Sequence, residues 1–133
     1  MLGGIQECFG RTVEYLKERK QFGVAIGSFQ ALKHRAADMF CEIELSKSCV
    51  LEALTALDEQ RDGDEVAKLA SLAKAKVGET YNLVSREGIQ MHGGIGMTDE
   101  FDIGFFIKRA EVAEQTFGDV NIHRNRYGEL EGY

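Results

Sequence analysis

The longest regular apolar pattern runs from Ser28 to Gln60, and the sequence there reads SFQALKHRAADMFCEIELSKSCVLEALTALDEQ. Its apolar residues are spaced alternately three and four positions apart, and only Ser46 interrupts the series with a polar side chain. This spacing predicts one apolar stripe along a single helix, which is about 50 Å long at 1.5 Å per residue. The members of the stripe are Phe29, Leu32, Ala36, Met39, Ile43, Val50, Ala53 and Leu57.

Similar spacing predicts further helices on both sides of this stretch. The stripe before it consists of Leu2, Ile5, Phe9, Val13 and Leu16, and the stripe after it consists of Val66, Ala70, Ala73, Val77, Thr80 and Val84. A fourth helix is indicated by Phe105, Val112 and Ala113, and either Thr98 or Asp99 is expected to cap its start. A last short helix is expected from about Asp119. No stretch of six or more residues alternates as a strand does.

The connections between the predicted helices are short, which makes helices that follow each other in sequence antiparallel. They are Gln21 to Gly27, Arg61 to Asp64 with Asp64 as a candidate cap, and Gly93 to Thr98. The chain contains no proline, where an average chain of this length has about six or seven, as expected for long uninterrupted helices. We therefore expect residues 1–133 to form one all-α domain, an antiparallel up-down four-helix bundle with a short C-terminal helix.

Charge and composition narrow the classes of partner. The net charge is −6, the pI is near 5.1 and 44% of residues are hydrophobic, which fits one globular domain without the overall attraction that nucleic acid or an anionic membrane requires. The beginning of the chain lacks the features of a signal peptide, so a cytoplasmic location is expected. The three histidines show no metal-ligand spacing, and no metal site is predicted.

A glycine-rich loop, QMHGGIGMT at residues 90–98, follows the third predicted helix. Its glycines lack the G-x-G-x-x-G spacing of a Rossmann fold and follow a helix, and the GK[ST] of a P-loop is absent. Two interpretations remain from the residues alone. In the first, Gly93 ends the helix in the left-handed conformation and the other glycines form a sharp turn. In the second, a flat or anionic ligand lies against the bare backbone of the loop.

A second set of motifs resembles one protein family. RKQFG at residues 19–23, Phe29-Gln30 and Ala37-Asp38-Met39 are similar to the R-x-x-F-G, F-Q and A-D-M segments of the acyl-CoA dehydrogenase family, in its C-terminal helical domain. The resemblance continues through GIQMHGGIG at residues 88–96 and Lys108-Arg109. It covers nearly the whole chain, and the motifs occur in the family's order and spacing.

The resemblance implies that this chain is one domain of a larger flavoenzyme. In that family the domain meets the adenosine diphosphate half of FAD held by a neighbouring subunit. The positions implied for that contact are Arg19, Phe22, Gln30, Gln90, Gly93 and Gly94. The resemblance also implies an acyl-CoA substrate, an electron-transfer protein as acceptor, and a homodimer, a homotetramer or a heteromeric assembly.

The family's reaction is α,β-dehydrogenation of an acyl-CoA thioester, in which a carboxylate removes the α-proton. Many members place a glutamate for this purpose in a segment that aligns here with Phe117 or Gly118, and neither residue takes a proton. Three alternatives remain: a base that precedes Met1, Asp119 as a displaced base, or a partner subunit that performs the chemistry. Asp119 is more simply explained as the cap of the last helix, so we expect this chain alone to be inactive.

Two other function classes stay open at this point. Flavin-dependent monooxygenases share the family's fold and need no acyl-CoA base, which fits the missing glutamate. A non-catalytic helical oligomerisation module also fits the bundle. The QFG and HGGIG motifs favour the dehydrogenase.

Overall fold

The computed structural model describes all of residues 1–133 and consists of five helices joined by short connections. The helices are α1 (Leu2–Glu18), α2 (Gln30–Asp58), α3 (Gly63–His92), α4 (Ile103–Gln115) and α5 (Val120–Glu131). Strands β1 (Lys20–Gln21) and β2 (Val24–Ala25) pair antiparallel between α1 and α2, and 3₁₀ turns follow at Ile26–Ser28 and Gly93–Met97. The prediction of an all-α four-helix bundle with a short C-terminal helix is confirmed.

Helix α3 is the centre of the fold, because it contacts each of the other four helices. At Gly88 its neighbours approach closely. A Cβ at Gly88 would lie 3.1 Å from Thr12 Oγ1, 3.2 Å from Cys8 Sγ and 3.3 Å from the side chain of Ile103, so α1 and α4 both pack against α3 at this residue. The last part of α3 thereby packs against the middle of α1 and the start of α4.

The apolar stripe of α2 is buried only in its middle. Met39 and Ile43 are buried in the core, whereas Leu57 is 55% exposed. The polar interruption Ser46 is also fully buried, and its hydroxyl donates to Thr80 Oγ1 of α3 at 2.8 Å. A buried hydroxyl is tolerated here because its hydrogen bond is made inside the core.

The predicted start of α4 was wrong. The helix begins at Ile103 rather than at Thr98 or Asp99, because residues Gly93–Met97 form a 3₁₀ turn that Thr98 closes. The Thr98 hydroxyl donates back to Ile95 O at 2.8 Å, so Thr98 does not cap α4. Phe105, one of the residues that indicated this helix, is 62% exposed.

The cap of α3 and the start of α2 also differ from the prediction. The N-cap of α3 is Asp62, whose carboxylate accepts from Asp64 N at 3.0 Å, so Asp64 is the capped residue. Helix α2 begins at Gln30 rather than Ser28, because Ile26–Ser28 form a 3₁₀ turn. The two-residue strands were not predicted, since they are too short to give an alternating pattern.

None of the helices combines the length and the apolar content that crossing a membrane requires. The cytoplasmic location stays a prediction.

Candidate functional site

A groove of about 410 Å³ lies between the end of α1, the start of α2 and the end of α3. Five of the six residues predicted to contact a cofactor line it together: Arg19, Phe22, Gln90, Gly93 and Gly94. They come from two segments about 70 residues apart in the sequence, 19–22 and 90–94. Helices α1 and α3 lie side by side in the same direction, so their C-terminal ends meet and bring the two segments together.

The β1–β2 hairpin presents Phe22 to the groove. The hairpin turn consists of Phe22 and Gly23, with φ of 54° and 80°, the sign that a two-residue type I′ turn requires at both positions. The left-handed region costs a non-glycine residue roughly 1–2 kcal/mol, and the Phe22 side chain is 89% exposed. Because the ring is exposed, its burial contributes too little free energy to offset the backbone strain. Core packing therefore does not explain an aromatic residue at this position.

The hairpin is held firmly against the end of α1. Arg19 is the C-cap of α1 in an extended conformation, and its carbonyl accepts from Ile26 N at 2.8 Å. A Cβ at Gly27 would lie 2.9 Å from Leu16 O, so only glycine allows the chain to pass this close to α1. The Phe22 ring also packs edge-on against Phe29, with centroids 6.0 Å apart.

The three clustered glycines have three different explanations. Gly93 ends α3 with φ of 68° and ψ of −148°, which confirms the predicted helix end but not the predicted left-handed α conformation. A Cβ at Gly96 would lie 2.9 Å from Ile89 O, so space excludes a side chain. A Cβ at Gly94 would meet nothing within 4 Å. Contacts within this chain therefore do not explain a glycine at position 94, whereas a ligand or another chain against its backbone does.

His92 and Tyr15 form one wall of the groove. Their rings stack with centroids 4.2 Å apart, and the Tyr15 hydroxyl donates to His92 O at 3.3 Å. Burial lowers the pKa of His92, and the hydrogen bond of Nδ1 to Gly88 O at 2.7 Å opposes this shift. Because a carbonyl only accepts, Nδ1 carries the proton and the neutral ring serves as a packed structural element.

The groove contains one arginine that was not predicted and lacks one glutamine that was. Arg35 lines the groove, and its Nε donates to the Glu87 carboxylate at 2.6 Å, whereas Arg19 forms no ion pair within the chain. Gln30 is exposed at the first position of α2 and does not line the groove. Its predicted cofactor contact therefore stays a prediction that requires a ligand extending beyond the groove.

A neighbouring cavity of about 460 Å³ shares Tyr15 and His92 with the groove but has the opposite charge. Four carboxylates line it, those of Glu7, Glu14, Glu18 and Asp102, with Arg11 as the only cation. An anionic phosphate is repelled there. The groove with the unpaired Arg19 is consequently the better place for an anionic cofactor.

The predicted base position lies in the turn between α4 and α5. Phe117 has φ of 64° and is 93% exposed, and Gly118 has φ of 103°. The Asp119 carboxylate accepts from Ile122 N at 2.9 Å as the N-cap of α5, as predicted. The only carboxylate of this turn is that of Asp119, and it caps a helix.

Lys74 fixes this turn from α3. Its ammonium donates to the carbonyls of Ala113, Glu114 and Gly118 at 3.2, 2.9 and 2.9 Å. Burial lowers the pKa of Lys74, and the nearby carboxylates of Glu114 and Asp119 oppose the shift. Spacing alone gave no signal for this lysine, which acts on residues about 40 positions away.

The fold and groove together define a helical domain that offers a cation, an exposed aromatic ring and bare backbone to a ligand. A sequence model described as "Acyl-CoA dehydrogenase, C-terminal domain" matches residues 1–130. The chain therefore belongs to the acyl-CoA dehydrogenase family and forms its C-terminal domain.

Individual relatives agree with this assignment. Acyl-CoA dehydrogenase IpdE2 of Mycobacterium tuberculosis is 40% identical over 114 residues, which are 86% of this chain and 33% of that protein. Caffeyl-CoA reductase-Etf complex subunit CarC of Acetobacterium woodii is 34% identical over 77% of this chain and 26% of its own length. A solved structure described as "FAD complex of PigA" aligns with a TM-score of 0.91 and 25% identity, over 98% of this chain and 33% of that chain. This chain thus spans about a quarter to a third of the length of these relatives.

Proposed function

We propose that this chain is the C-terminal domain of an FAD-dependent acyl-CoA dehydrogenase and binds the adenosine diphosphate half of FAD in the groove. The observation that carries the proposal is the convergence of Arg19, Phe22, Gln90, Gly93 and Gly94 on one cavity. A similar chain occurs in the FAD complex of PigA, which supports the choice of cofactor.

The residues of the groove fit FAD on structural grounds. Arg19 is an exposed guanidinium without a carboxylate partner, and a guanidinium binds pyrophosphate oxygens in a forked geometry that lysine lacks. Gly94 leaves open space where any side chain would stand. Phe22 offers an aromatic surface that its own chain does not bury. A cation, bare backbone and an exposed ring are the features that a dinucleotide requires.

FAD supplies the redox chemistry when bound, by accepting a hydride from the β-carbon of the acyl-CoA. The role of this chain is to bind and orient the dinucleotide. It does not supply the usual base, since Phe117 and Gly118 occupy that position and Asp119 caps α5. A base must lie within hydrogen-bond reach of the proton that it removes. We therefore propose that the α-proton is taken by a carboxylate outside residues 1–133.

The assembly and the electron acceptor are part of the same proposal. The relative CarC is by name a subunit of an Etf complex, which supports an electron-transfer protein as the acceptor for the whole enzyme. A groove whose ligand belongs to a neighbouring subunit requires at least a dimer. Homodimer, homotetramer and heteromer all satisfy this requirement.

The decisive experiment uses the full-length protein that contains this chain, reconstituted with FAD and kept anaerobic. Addition of an acyl-CoA is expected to bleach the flavin absorbance. Retention of FAD without bleaching by any acyl-CoA, together with oxygen-dependent substrate hydroxylation, would instead indicate a monooxygenase. Failure of the intact protein to bind FAD would indicate a non-catalytic helical module.

A further inference from the structure

The start of α2 forms one wall of the groove, and its own residues hold it weakly. Phe29, Leu32 and Arg35 line the groove from this side. Phe29 is the N-cap of α2, but no side chain caps this end, and the first turn carries no acidic residue to favour the helix dipole. Over residues 30–34 only Leu32 packs against the core, and the other side chains are exposed. Local interactions alone therefore do not fix this wall.

An ion pair joins this wall to α3. Arg35 Nε donates to Glu87 Oε2 at 2.6 Å, and Nη2 of the same guanidinium contacts the same oxygen. The two side chains are 38% and 25% exposed, and charges that are partly shielded from water attract each other more strongly than fully exposed ones. Glu87 lies one turn before Gln90, which lines the groove from α3. The pair consequently connects two walls of the groove.

The charge of Arg35 is engaged within the chain. Two of its donor nitrogens meet the Glu87 carboxylate, so the pair as a whole is neutral. A neutral pair attracts an anionic cofactor much less than a single cation does. Arg35 lines the groove, whereas Glu87 lies behind the lining residues. This arrangement favours a role in holding the wall over a direct contact with phosphate.

We propose that Arg35 and Glu87 are positioning residues that hold the start of α2 against α3 and so keep the groove in the shape that the dinucleotide requires. The inference rests on the proposed function for the identity of the ligand. A groove whose walls are already fixed loses less conformational entropy on binding than one whose wall must become ordered. The pair therefore increases FAD affinity by pre-organising the groove.

A second ion pair between the same two helices provides a matched control. The Lys76 ammonium donates to the Glu42 carboxylate, and these side chains are 22% and 35% exposed. Lys76 precedes Glu87 on α3 by about three turns, which is roughly 16 Å along the helix axis. Neither Lys76 nor Glu42 lines the groove. Breaking this pair removes a similar contact between α2 and α3 far from the site.

The test measures FAD affinity and thermal unfolding of the full-length protein. Arg35→Met and Glu87→Met, singly and together, break the pair and keep apolar side chains of similar length. Each single change should weaken FAD binding about fivefold or more, and the double variant should be no weaker than the weaker single one, because either change removes the same contact. Lys76→Met and Glu42→Met should lower the melting temperature by similar amounts and change FAD affinity less than about twofold.

Two variants distinguish positioning from a direct electrostatic role. Glu87→Met removes a negative charge near the groove, so it should tighten FAD binding if Arg35 contacts the pyrophosphate itself. A positioning role predicts weaker binding from the same change. Arg35→Lys keeps a cation for Glu87 and should recover most of the affinity that Arg35→Met loses.

Unchanged or tighter FAD binding in Glu87→Met would overturn the inference and leave the proposed function standing. Failure of the wild type to bind FAD would refute the proposed function, and hydrogen exchange of the backbone amides of residues 32–36 then tests the contact by itself. Exchange there should be faster in Arg35→Met and Glu87→Met than in Lys76→Met. Equal exchange in all three variants would overturn the inference whatever the ligand.

Discussion

Replacement of Arg19 by alanine in the full-length protein tests the groove most directly. Arg19 forms no ion pair within the chain, lines the groove and is exposed. Removal of its side chain should therefore change the stability of the fold little and weaken FAD binding strongly. A hydrogen bond to a charged group contributes about 1.5–3 kcal/mol, which corresponds to about ten- to hundredfold weaker FAD binding.

The measurement is FAD affinity, from the flavin absorbance retained after gel filtration and from titration of the apoprotein. Lys20→Ala is the matched control, because Lys20 is the adjacent exposed cation and does not line the groove. Arg19→Lys should give an intermediate affinity, since it keeps the charge but loses the forked geometry. Equal FAD affinity in Arg19→Ala and Lys20→Ala would refute the assignment of the pyrophosphate to Arg19.

Three further predictions concern the glycine loop, the turn before α5 and the outer face of α2. Gly94→Val should reduce FAD retention without lowering the melting temperature, because its side chain enters open space. Gly96→Ala should lower the melting temperature, because its Cβ would lie 2.9 Å from Ile89 O. The opposite pattern in thermal unfolding and flavin content would contradict the different roles assigned to these two glycines. Asp119→Asn should change the rate of anaerobic flavin reduction by acyl-CoA less than about tenfold, because asparagine also caps helices. A loss of rate of several orders of magnitude, with FAD content intact, would identify Asp119 as the base. The isolated chain should be helical and self-associate at high micromolar concentration, since several large apolar side chains of α2 are exposed. Sedimentation that shows only monomer would contradict this. The large exposed residues of that helix are Phe40, Leu45, Leu51, Leu54 and Leu57.

Much of the groove was predictable from sequence because the family's motifs fix residue types at particular positions. Five of the six predicted contact positions line one cavity, and only Gln30 lies outside it. The prediction did not include Arg35, which lines the groove and is paired with Glu87 of α3. An ion pair between residues 52 positions apart leaves no local pattern, so only packing shows it.

The turn between α4 and α5 shows the same limit at the predicted base position. The sequence indicated that Phe117 and Gly118 replace the usual glutamate and that Asp119 caps the last helix. It gave no sign that Lys74 donates to three carbonyls there, or that His123 Nε2 lies 3.1 Å from Phe117 O. These contacts depend on where α3 and α5 lie relative to the turn.

The helices, their order and the antiparallel arrangement of successive helices were predictable from sequence, because a repeat near 3.6 residues and short connections are properties of neighbouring residues. The role of each individual residue depended on tertiary structure. It distinguished Gly96, which lacks space for a side chain, from Gly94, which has space that its own chain leaves empty. It also left two buried polar atoms, Ser71 Oγ and His123 Nδ1, without a hydrogen-bond partner in the chain. The physical reason is that space, burial and hydrogen-bond partners are set by residues far apart in the chain, which come together only when the helices pack.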